Sequence, residues 1–277
     1  MKKFQSTAKT KQTAKHRGKT FTQSASKGDA KATKATKAAS KPKFAAPKPS
    51  STPHQRTTKP RIIKTRIIES EQDIKDGIST LRRICPHLKK AHDVAGNPPL
   101  RRNEGGFTGL ARIIVGQQLS VLAAKAIWTR VDTLIKPMTP QNLVRHGDEE
   151  LRATGLSRGK VKTLRAIAEA TSNGLDLDQL AVIDEQNARD QMIAVSGIGP
   201  WTADIYLMFC VGRADIFAPG DLALQVAAQM VMNLDERPSI KEMATIAERW
   251  SPWRGVAARL LWHYYAVEKS KKSLMPV

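Results

Sequence analysis

The sequence predicts an all-α protein in which a helical body of about 200 residues follows a basic N-terminal tail. Apolar residues recur at three- and four-residue spacing almost throughout the chain from about residue 70 onward. The alternation of apolar and polar residues that is typical of β-strands is nearly absent. Glycine and proline residues divide the periodic stretches into lengths that suit short helices. We therefore expect one helical domain, or two tightly apposed helical halves.

The helices are expected in the following order. The first stretch ends at Pro86, and a longer one breaks near Gly116 and ends before Pro137. The apolar positions that define these two stretches are Ile74, Ile78, Leu81, Ile84, Phe107, Leu110, Ile113, Ile114, Leu122, Ile127, Val131 and Leu134. Further helices are expected at about 141–153, 160–172, 186–195, 200–211, 221–233, 239–249 and 253–268.

The positive charge is concentrated at the N-terminus. The chain has 46 Lys and Arg against 25 Asp and Glu, a net charge of +21, but residues 1–66 contain 19 of the basic residues and a single acidic one. This segment consists mainly of Lys, Ala, Thr, Ser and Pro, and we expect it to be disordered because it has too little apolar surface to offset its ordering entropy. It would bind nucleic acid, act as a targeting segment or only increase solubility. Residues 67–272 are the expected domain, and residues 273–277 form a short C-terminal tail.

Composition excludes several classes of protein. No apolar run approaches the roughly 18 residues of a membrane span, and the N-terminus lacks the apolar core of a secretory signal. Cys85 and Cys210 are too few for a four-thiolate metal or iron–sulfur site, so we expect buried thiols in a reducing compartment. We expect no metal bound by side chains, no cofactor and no membrane association.

A glycine-containing turn lies within residues 196–203. Gly197 and Gly199 allow the backbone to approach a ligand closely, and Pro200 suits the first turn of a helix. The free N–H groups of such a turn would bind one phosphate without reading sequence. On these residues alone, a plain turn between two helices is an equally good interpretation.

Asp221 follows a Pro-Gly pair and is expected to cap the next helix. A capping role alone would explain this residue. However, the partial positive charge of a helix N-terminus also favours a carboxylate, and an anionic group at the mouth of a cleft suits the stabilisation of a developing cation.

Four of the five tryptophans lie in the last 77 residues of the chain. We expect Trp250 and Trp262 to belong to the core, because most aromatic side chains do. Trp201 and Trp253 are the candidates for a pocket, where an indole would stack on a base or face a cation.

Taken together, these segments resemble the DNA-3-methyladenine glycosylase II family of the helix-hairpin-helix base-excision superfamily. The resemblance extends over about residues 72–268 and keeps the order of the family's motifs. The segments that carry it are FTGLARIIVGQQLS at residues 107–120, GIGPWTA at 197–203, DIFAPGD at 215–221 and WSPWR at 250–254.

The resemblance implies two helical lobes with a cleft between them, and it assigns roles to particular positions. Asp221 falls on the catalytic aspartate, and Trp201 and Trp253 fall on aromatic positions that line the base pocket. The hairpin, at about residues 186–212, grips a phosphate of DNA, usually with a monovalent cation that main-chain carbonyls hold. The remaining expected DNA contacts are Gly197, Ile198, Gly199 and Thr202 in the hairpin, and Gln117 and Gln118 in the loop that enters the duplex.

The implied activity is hydrolysis of the N-glycosidic bond of alkylated purines, of the 3-methyladenine and 7-methylguanine type, in damaged double-stranded DNA. The protein would act as a monomer in the bacterial cytoplasm and nucleoid, or in a eukaryotic nucleus. Bifunctional relatives carry a lysine where this chain has Trp201, so we expect base release without strand cleavage. The basic tail replaces the β-rich domain of long-form relatives, and Ile205 replaces a pocket tyrosine. Which side chain fills the duplex, Gln118 or Leu119, stays open.

Two alternatives are a non-catalytic helix-hairpin-helix DNA-binding module and a glycosylase for oxidised or mispaired bases. The sequence does not rank the alkylated or deaminated bases as substrates. Asp204 is expected on the surface, and Asp215 is expected to buttress the turn before Asp221. Three basic residues would contact phosphate or form a solvated face, and these are Arg158, Lys160 and Lys162.

Overall fold

The computed structural model describes residues 65–274, so the predictions for residues 1–64 and for residues 275–277 lie outside the described part. The described part contains twelve α-helices, with a 3₁₀ turn at Gln179–Ala181 and a π-helical turn at Leu207–Val211. In chain order the helices are α1 (Glu71–Ile84), α2 (Pro86–Ala95), α3 (Gly106–Gly116), α4 (Val121–Leu134), α5 (Pro140–Leu143), α6 (Asp148–Ala153), α7 (Arg158–Ser172), α8 (Glu185–Ile193), α9 (Pro200–Tyr206), α10 (Leu222–Met232), α11 (Ile240–Glu248) and α12 (Arg254–Leu274).

The all-α prediction is confirmed. Among residues 65–274 the β-type pairing is a single isolated bridge between Ile67 and Arg213, and no strand forms. The bridge joins the start of the described chain to the helical body, where Ile68 donates to the Gly212 carbonyl at 2.7 Å. Ile68 is fully buried, so the folded body begins by about this residue.

Side-chain caps explain where many of the helices begin. Ser70 and Asp73 form a capping box at α1, and Ser239 and Glu242 form another at α11. Serine or aspartate side chains accept hydrogen bonds from the first turns of other helices, and these caps are Ser120, Ser157, Asp184 and Asp221. Such caps satisfy amides that a helix otherwise leaves without acceptors.

Several helix boundaries differ from the predicted ones, and α12 continues to Leu274 instead of ending near residue 268. Helix α2 was not expected, because Pro86 looked like an end, whereas this proline occupies the first turn of α2. The stretch at 141–153 forms two helices, because Thr139 caps α5 and Gly147 starts α6. The stretch at 200–211 changes to a π-helical turn after Tyr206 and ends at Gly212, whose φ is +87°.

The helices form two sets that pack mainly within themselves. In the first set, α2 and α12 pack against each other and each contacts α1 and α10. In the second set, α3 packs against α4, α7 and α9, while α5 and α6 pack on α7 and α8 packs on α9. This arrangement agrees with the predicted two-lobed fold. The segment between α9 and α10 joins the sets, and it ends at Asp221.

Two predictions from composition can be compared with the described residues. Cys85 and Cys210 are free and buried, as expected. Within residues 65–274, each helix is too short or too polar to cross a membrane.

Candidate active site

Asp221 is the N-cap of α10, as the sequence predicted. Its Oδ1 accepts a hydrogen bond from the Leu224 amide at 3.0 Å, and its own amide donates to the Ala218 carbonyl at 3.0 Å. The Gln225 side chain fixes the preceding turn by donating to the Pro219 carbonyl at 2.8 Å. Backbone and side-chain bonds therefore hold the Asp221 carboxylate in one position.

Two indole N–H groups donate to the same carboxylate. Trp201 Nε1 lies 2.9 Å from Asp221 Oδ2, and Trp262 Nε1 lies 3.0 Å from Oδ1. With the Leu224 amide, three donors contact the carboxylate, which has about four acceptor directions. Asp221 is half-buried and Trp201 is 38% exposed. The carboxylate and the Trp201 indole therefore remain open to a ligand on one side. A carboxylate held in this way stabilises a nearby positive charge without having to reorganise.

The Asp221–Trp201 hydrogen bond connects the two sets of helices. Trp201 lies on α9 of the second set, whereas Asp221 and Trp262 lie on α10 and α12 of the first set. The carboxylate therefore sits where the two sets meet. Such a junction is a common place for a ligand site.

Trp262 also belongs to this site, so its prediction as a core residue was incomplete: the ring packs against the core, and its N–H contacts Asp221. Its ring is half-buried and lies 5.5 Å from the ring of Phe209, whose other neighbour is the Arg259 guanidinium at 4.7 Å. These three side chains line a small recess together with Pro99, Arg101 and His263. The aromatic wall next to Asp221 is therefore built by α12 and by the π-helical turn.

Trp253 was predicted to line the pocket, and the structure contradicts this. Its side chain is 5% exposed. The ring packs so closely against Gly77 that a Cβ added to this glycine would lie 2.8 Å from the ring. The Arg66 guanidinium lies 4.4 Å from the ring centroid on one face. No open face remains for a base, because Trp253 precedes α12 and packs into the core against α1. Trp250 is fully buried, as predicted.

The hairpin between α8 and α9 has the predicted glycine geometry. Gly197 has φ +88°, and a Cβ there would lie 2.1 Å from Thr163 Oγ1 on α7. Gly199 is the N-cap of α9, and a Cβ added there would meet no atom within 4 Å. The Ile198 side chain is buried and its amide donates to the Val195 carbonyl at 3.0 Å, so only its carbonyl could take part in ligand binding. The hairpin is thus anchored at Gly197 and open at Gly199.

The predicted DNA contact of the Thr202 side chain is not supported, because Thr202 is 4% exposed and its hydroxyl accepts from Gln117 Nε2 at 2.8 Å. Gln117 is half-buried, and this hydrogen bond ties the loop after α3 to α9. Gln118 is exposed with φ +55°, and the next residue, Leu119, is 38% exposed. The loop between α3 and α4 thus presents Gln118 and Leu119, while Gln117 anchors it.

Lys160 takes neither of the roles that the sequence left open. Its Nζ donates to the Val115 carbonyl at 2.8 Å and to the Gln117 carbonyl at 2.9 Å. Burial lowers the pKa of this ammonium from its ordinary value. Arg158 and Lys162, on either side of it in α7, are exposed. Lys160 therefore binds the C-terminal end of α3, which a single sequence gives no means of detecting.

An ion network supports the hairpin from behind. Asp204 was expected on the surface but is 1% exposed, and its partner Arg189 has Nε 2.9 Å from Oδ1. Arg189 Nη2 donates to the other carboxylate oxygen, Oδ2, at 3.1 Å, and burial raises the pKa of Asp204 to about 7. Asp215, which was predicted to support the turn before Asp221, instead accepts from Arg254 Nε at 2.8 Å and so ties its segment to the start of α12. Although burial works in the opposite direction, its hydrogen bonds hold the pKa of Asp215 below its usual value.

Among residues 65–274 no group of three or more His, Cys, Asp or Glu side chains could hold a metal ion. The predicted monovalent cation would use main-chain carbonyls of the hairpin instead. That site stays a prediction.

Comparison with known proteins agrees with this geometry. Residues 111–252, just over half of the chain, match the family described as HhH-GPD superfamily base excision DNA repair protein. The YfjP protein of Bacillus subtilis is 32% identical over 200 residues, which cover 66% of this chain and 68% of that protein.

Two solved structures share the fold. The DNA-3-methyladenine glycosidase of Bacillus halodurans has a TM-score of 0.64 and 29% identity, and the match covers 76% of this chain and 95% of that one. The 3-methyladenine DNA glycosylase of Schizosaccharomyces pombe in complex with abasic DNA has a TM-score of 0.61 and 27% identity, covering 68% and 95%.

The fold and the site define a helix-hairpin-helix protein with a fixed carboxylate between two indoles. The chain belongs to the HhH-GPD superfamily of base excision DNA repair proteins.

Proposed function

We propose that this protein is a monofunctional DNA glycosylase that releases alkylated purines, of the 3-methyladenine and 7-methylguanine type, from double-stranded DNA. The observation that carries the proposal is the Asp221 carboxylate, which lies at the start of α10 and accepts from the indoles of Trp201 and Trp262. The names of the similar solved structures, which are glycosylases or glycosidases of 3-methyladenine, support this substrate class.

The chemistry of the substrate fits the residues at the site. Alkylation at N3 or N7 leaves the purine with a positive charge, so the base departs without a strong general acid. As the glycosidic bond breaks, positive charge develops on the sugar, as in other glycoside hydrolysis. In the proposed mechanism Asp221 stabilises that charge and orients the attacking water through its remaining acceptor direction.

The aromatic side chains next to Asp221 suit a cationic base. An indole face attracts a cation by about 0.5–2 kcal/mol per contact, depending on how far the cation is desolvated. Trp201, at 38% exposure, is accessible to such a base, and Trp262, which is part of the aromatic wall, donates to the same carboxylate. A normal base is neutral and gains less from this wall, which would contribute to selectivity for alkylated purines.

The enzyme must also extrude the nucleotide from the duplex, which costs a few kcal/mol and costs least for a damaged base. We propose that the open N-terminus of α9 at Gly199 binds a phosphate of the damaged strand, and that Gln118 or Leu119 fills the gap. This division of roles replaces the contacts that the sequence assigned to Thr202 and Gln117.

Lyase activity is not expected, because the side chain in the position of the lyase lysine is Trp201. An indole cannot form the imine through which a lysine cleaves the strand at an abasic site. We therefore propose hydrolysis of the glycosidic bond as the only reaction.

The experiment is a base-release assay. Purified protein is incubated with duplex DNA that contains methylated purines, and free bases are identified by chromatography while the same DNA is checked for strand breaks. The proposal requires release of alkylated purine and an intact strand. Absence of released base across a panel of alkylated duplexes would refute the glycosylase, and a borohydride-trapped protein–DNA adduct would refute the monofunctional mechanism.

A further inference from the structure

We propose, building on the proposed function, that Lys160 is a positioning residue that holds the loop at Gln118 in the conformation that enters the duplex. Thr202 assists it through Gln117. The loop, rather than either side chain alone, would be the part that contacts DNA.

The Gln118 backbone has a conformation that needs support. Its φ of +55° lies in the left-handed region, which residues other than glycine rarely adopt. Its exposed side chain follows directly after Gln117, where α3 ends. Such a backbone conformation persists only when the surrounding structure fixes it.

Lys160 supplies this support on the backbone side. Its Nζ donates to the carbonyls of Val115 and Gln117 at 2.8 and 2.9 Å. These carbonyls lie at the C-terminal end of α3, where a helix leaves acceptors without partners and carries partial negative charge. The second bond fixes the peptide group that joins Gln117 to Gln118.

Thr202 supplies the support on the side-chain side. The hydrogen bond from Gln117 Nε2 to Thr202 Oγ1, at 2.8 Å, joins the end of α3 to the first turn of α9. Thr202 is buried, so this bond is shielded from water. The preceding residue, Trp201, donates to Asp221, so the loop and the carboxylate are anchored to the same helical turn.

Helix α7 supports both segments that would face DNA. Lys160 binds the loop, and Thr163, three residues later on the same side of the helix, packs against Gly197 of the hairpin. One helix thereby fixes the spacing between the loop and the phosphate-binding turn. Lys160 has three donors and uses two of them inside the protein, which distinguishes it from the exposed Lys162.

The test compares Lys160→Met with Lys162→Met, since each variant removes one positive charge from α7. Single-turnover excision is measured on duplexes in which an alkylated purine is normally paired or lies in a mismatch. Gap filling is measured separately by 2-aminopurine fluorescence next to an abasic-site analogue. Lys160→Met removes both hydrogen bonds, so we expect a loss of at least about 10-fold on the paired lesion, the lower end of the effect of a hydrogen bond to a charged group. The loss should be smaller in the mismatch, where extrusion costs less.

Lys162→Met removes an exposed charge, so any change in excision should be equal for paired and mismatched lesions, and the fluorescence change should be retained. An equal loss in the two lysine variants would assign the effect to net charge and overturn the proposal, as would an equal loss of Lys160→Met on paired and mismatched lesions. Lys160→Arg keeps a charged donor and should recover part of the rate. If Lys160→Met fails to fold, Thr202→Val provides the test. It removes the acceptor of the Gln117 side chain at nearly constant volume. It should slow the excision of paired lesions more than that of mismatched ones.

Base release and the fluorescence change together distinguish a failure of the proposed function from a failure of the role proposed for Lys160. Wild-type protein that changes the fluorescence of abasic-site DNA but releases no alkylated base would refute the glycosylase. The role of Lys160 would then still be decided by the fluorescence comparison.

Discussion

Asp221 shows how one side chain serves both the fold and the proposed chemistry. Its Oδ1 accepts from the Leu224 amide and from Trp262, and its Oδ2 accepts from Trp201. The first contact caps α10 and is local in sequence, whereas the two indoles come from other helices. A catalytic group held by three donors keeps its orientation while the substrate changes charge, which is the condition for electrostatic catalysis.

The first prediction concerns Trp262→Phe. This change keeps an aromatic ring against Phe209 but removes the donor to Asp221 Oδ1. We expect excision to slow by about 10-fold or more, as for a lost hydrogen bond to a charged group, while affinity for abasic-site DNA is retained. Single-turnover kinetics and fluorescence anisotropy measure the two quantities.

The matched control is Trp250→Phe, because the indole N–H of Trp250 is buried without a hydrogen-bond partner in the described structure. This control should change thermal stability more than excision. If both variants excise at the wild-type rate, the contact between Trp262 and Asp221 has no catalytic role.

Sequence reasoning identified some of these residues because their signals are local. The Pro-Gly-Asp turn predicts a cap at Asp221, and the Gly-rich hairpin places Trp201 at a helix start. The roles of Trp253 and Trp262 were exchanged for a physical reason. Which tryptophan meets Asp221 depends on how α12 packs against α10, and Trp253 is instead covered by Gly77 from α1.

At the scale of elements, the hairpin depends on two glycines with different requirements. Gly197 needs a positive φ and closeness to Thr163, whereas Gly199 has an ordinary φ of −91° and open space. The first glycine therefore serves packing, and the second leaves the start of α9 accessible.

The second prediction separates these two roles. Gly197→Ala should lower the free energy of unfolding by about 1–3 kcal/mol, because it introduces a strained backbone and a clash with α7. Gly199→Ala should leave stability within about 0.5 kcal/mol of wild type but weaken DNA binding, because it adds a methyl group where phosphate would approach. Denaturant unfolding and DNA titrations test this pair, and equal DNA affinity of Gly199→Ala and wild type would contradict the phosphate site.

The order and type of most of the helices were predictable because the longer ones have a clear apolar periodicity. The missed α2 begins at Pro86, and a proline reads equally well as the end of one helix or the first turn of the next. The position of Lys160 against the end of α3 was not predictable, because 43 residues separate it from Gln117. Tertiary packing alone brings these two elements together.

At the scale of the whole molecule, most of the net positive charge lies in the N-terminal segment, whereas the candidate site lies in the helical body. Residues 67–277 contain 27 basic and 24 acidic residues, so this part is nearly neutral. In the proposed function, its DNA contacts therefore rest on local geometry at the hairpin and loop. The basic residues of the N-terminal segment would add affinity that is independent of sequence and sensitive to salt.

The third prediction is that removal of residues 1–60 flattens the dependence of log K on log salt for DNA binding. This segment contains 16 Lys and Arg residues, and each phosphate contact that is lost reduces the slope by about 0.9. Residues 61–66 are kept, because Arg66 packs on Trp253 in the folded body. Single-turnover excision should be nearly unchanged, and an unaltered slope would show that the segment does not hold DNA.

The most direct test of the proposed chemistry is the rate of excision by Asp221→Asn, with Asp235→Asn as the control. Asp235 is an exposed residue, so the control removes one negative charge away from the site. We predict that Asp221→Asn loses at least about 100-fold in single-turnover release of alkylated purine, because the sugar cation loses its counter-charge. Its binding to abasic-site DNA and its thermal stability should remain close to those of Asp235→Asn. Release by Asp221→Asn at the wild-type rate would contradict the central role of this carboxylate.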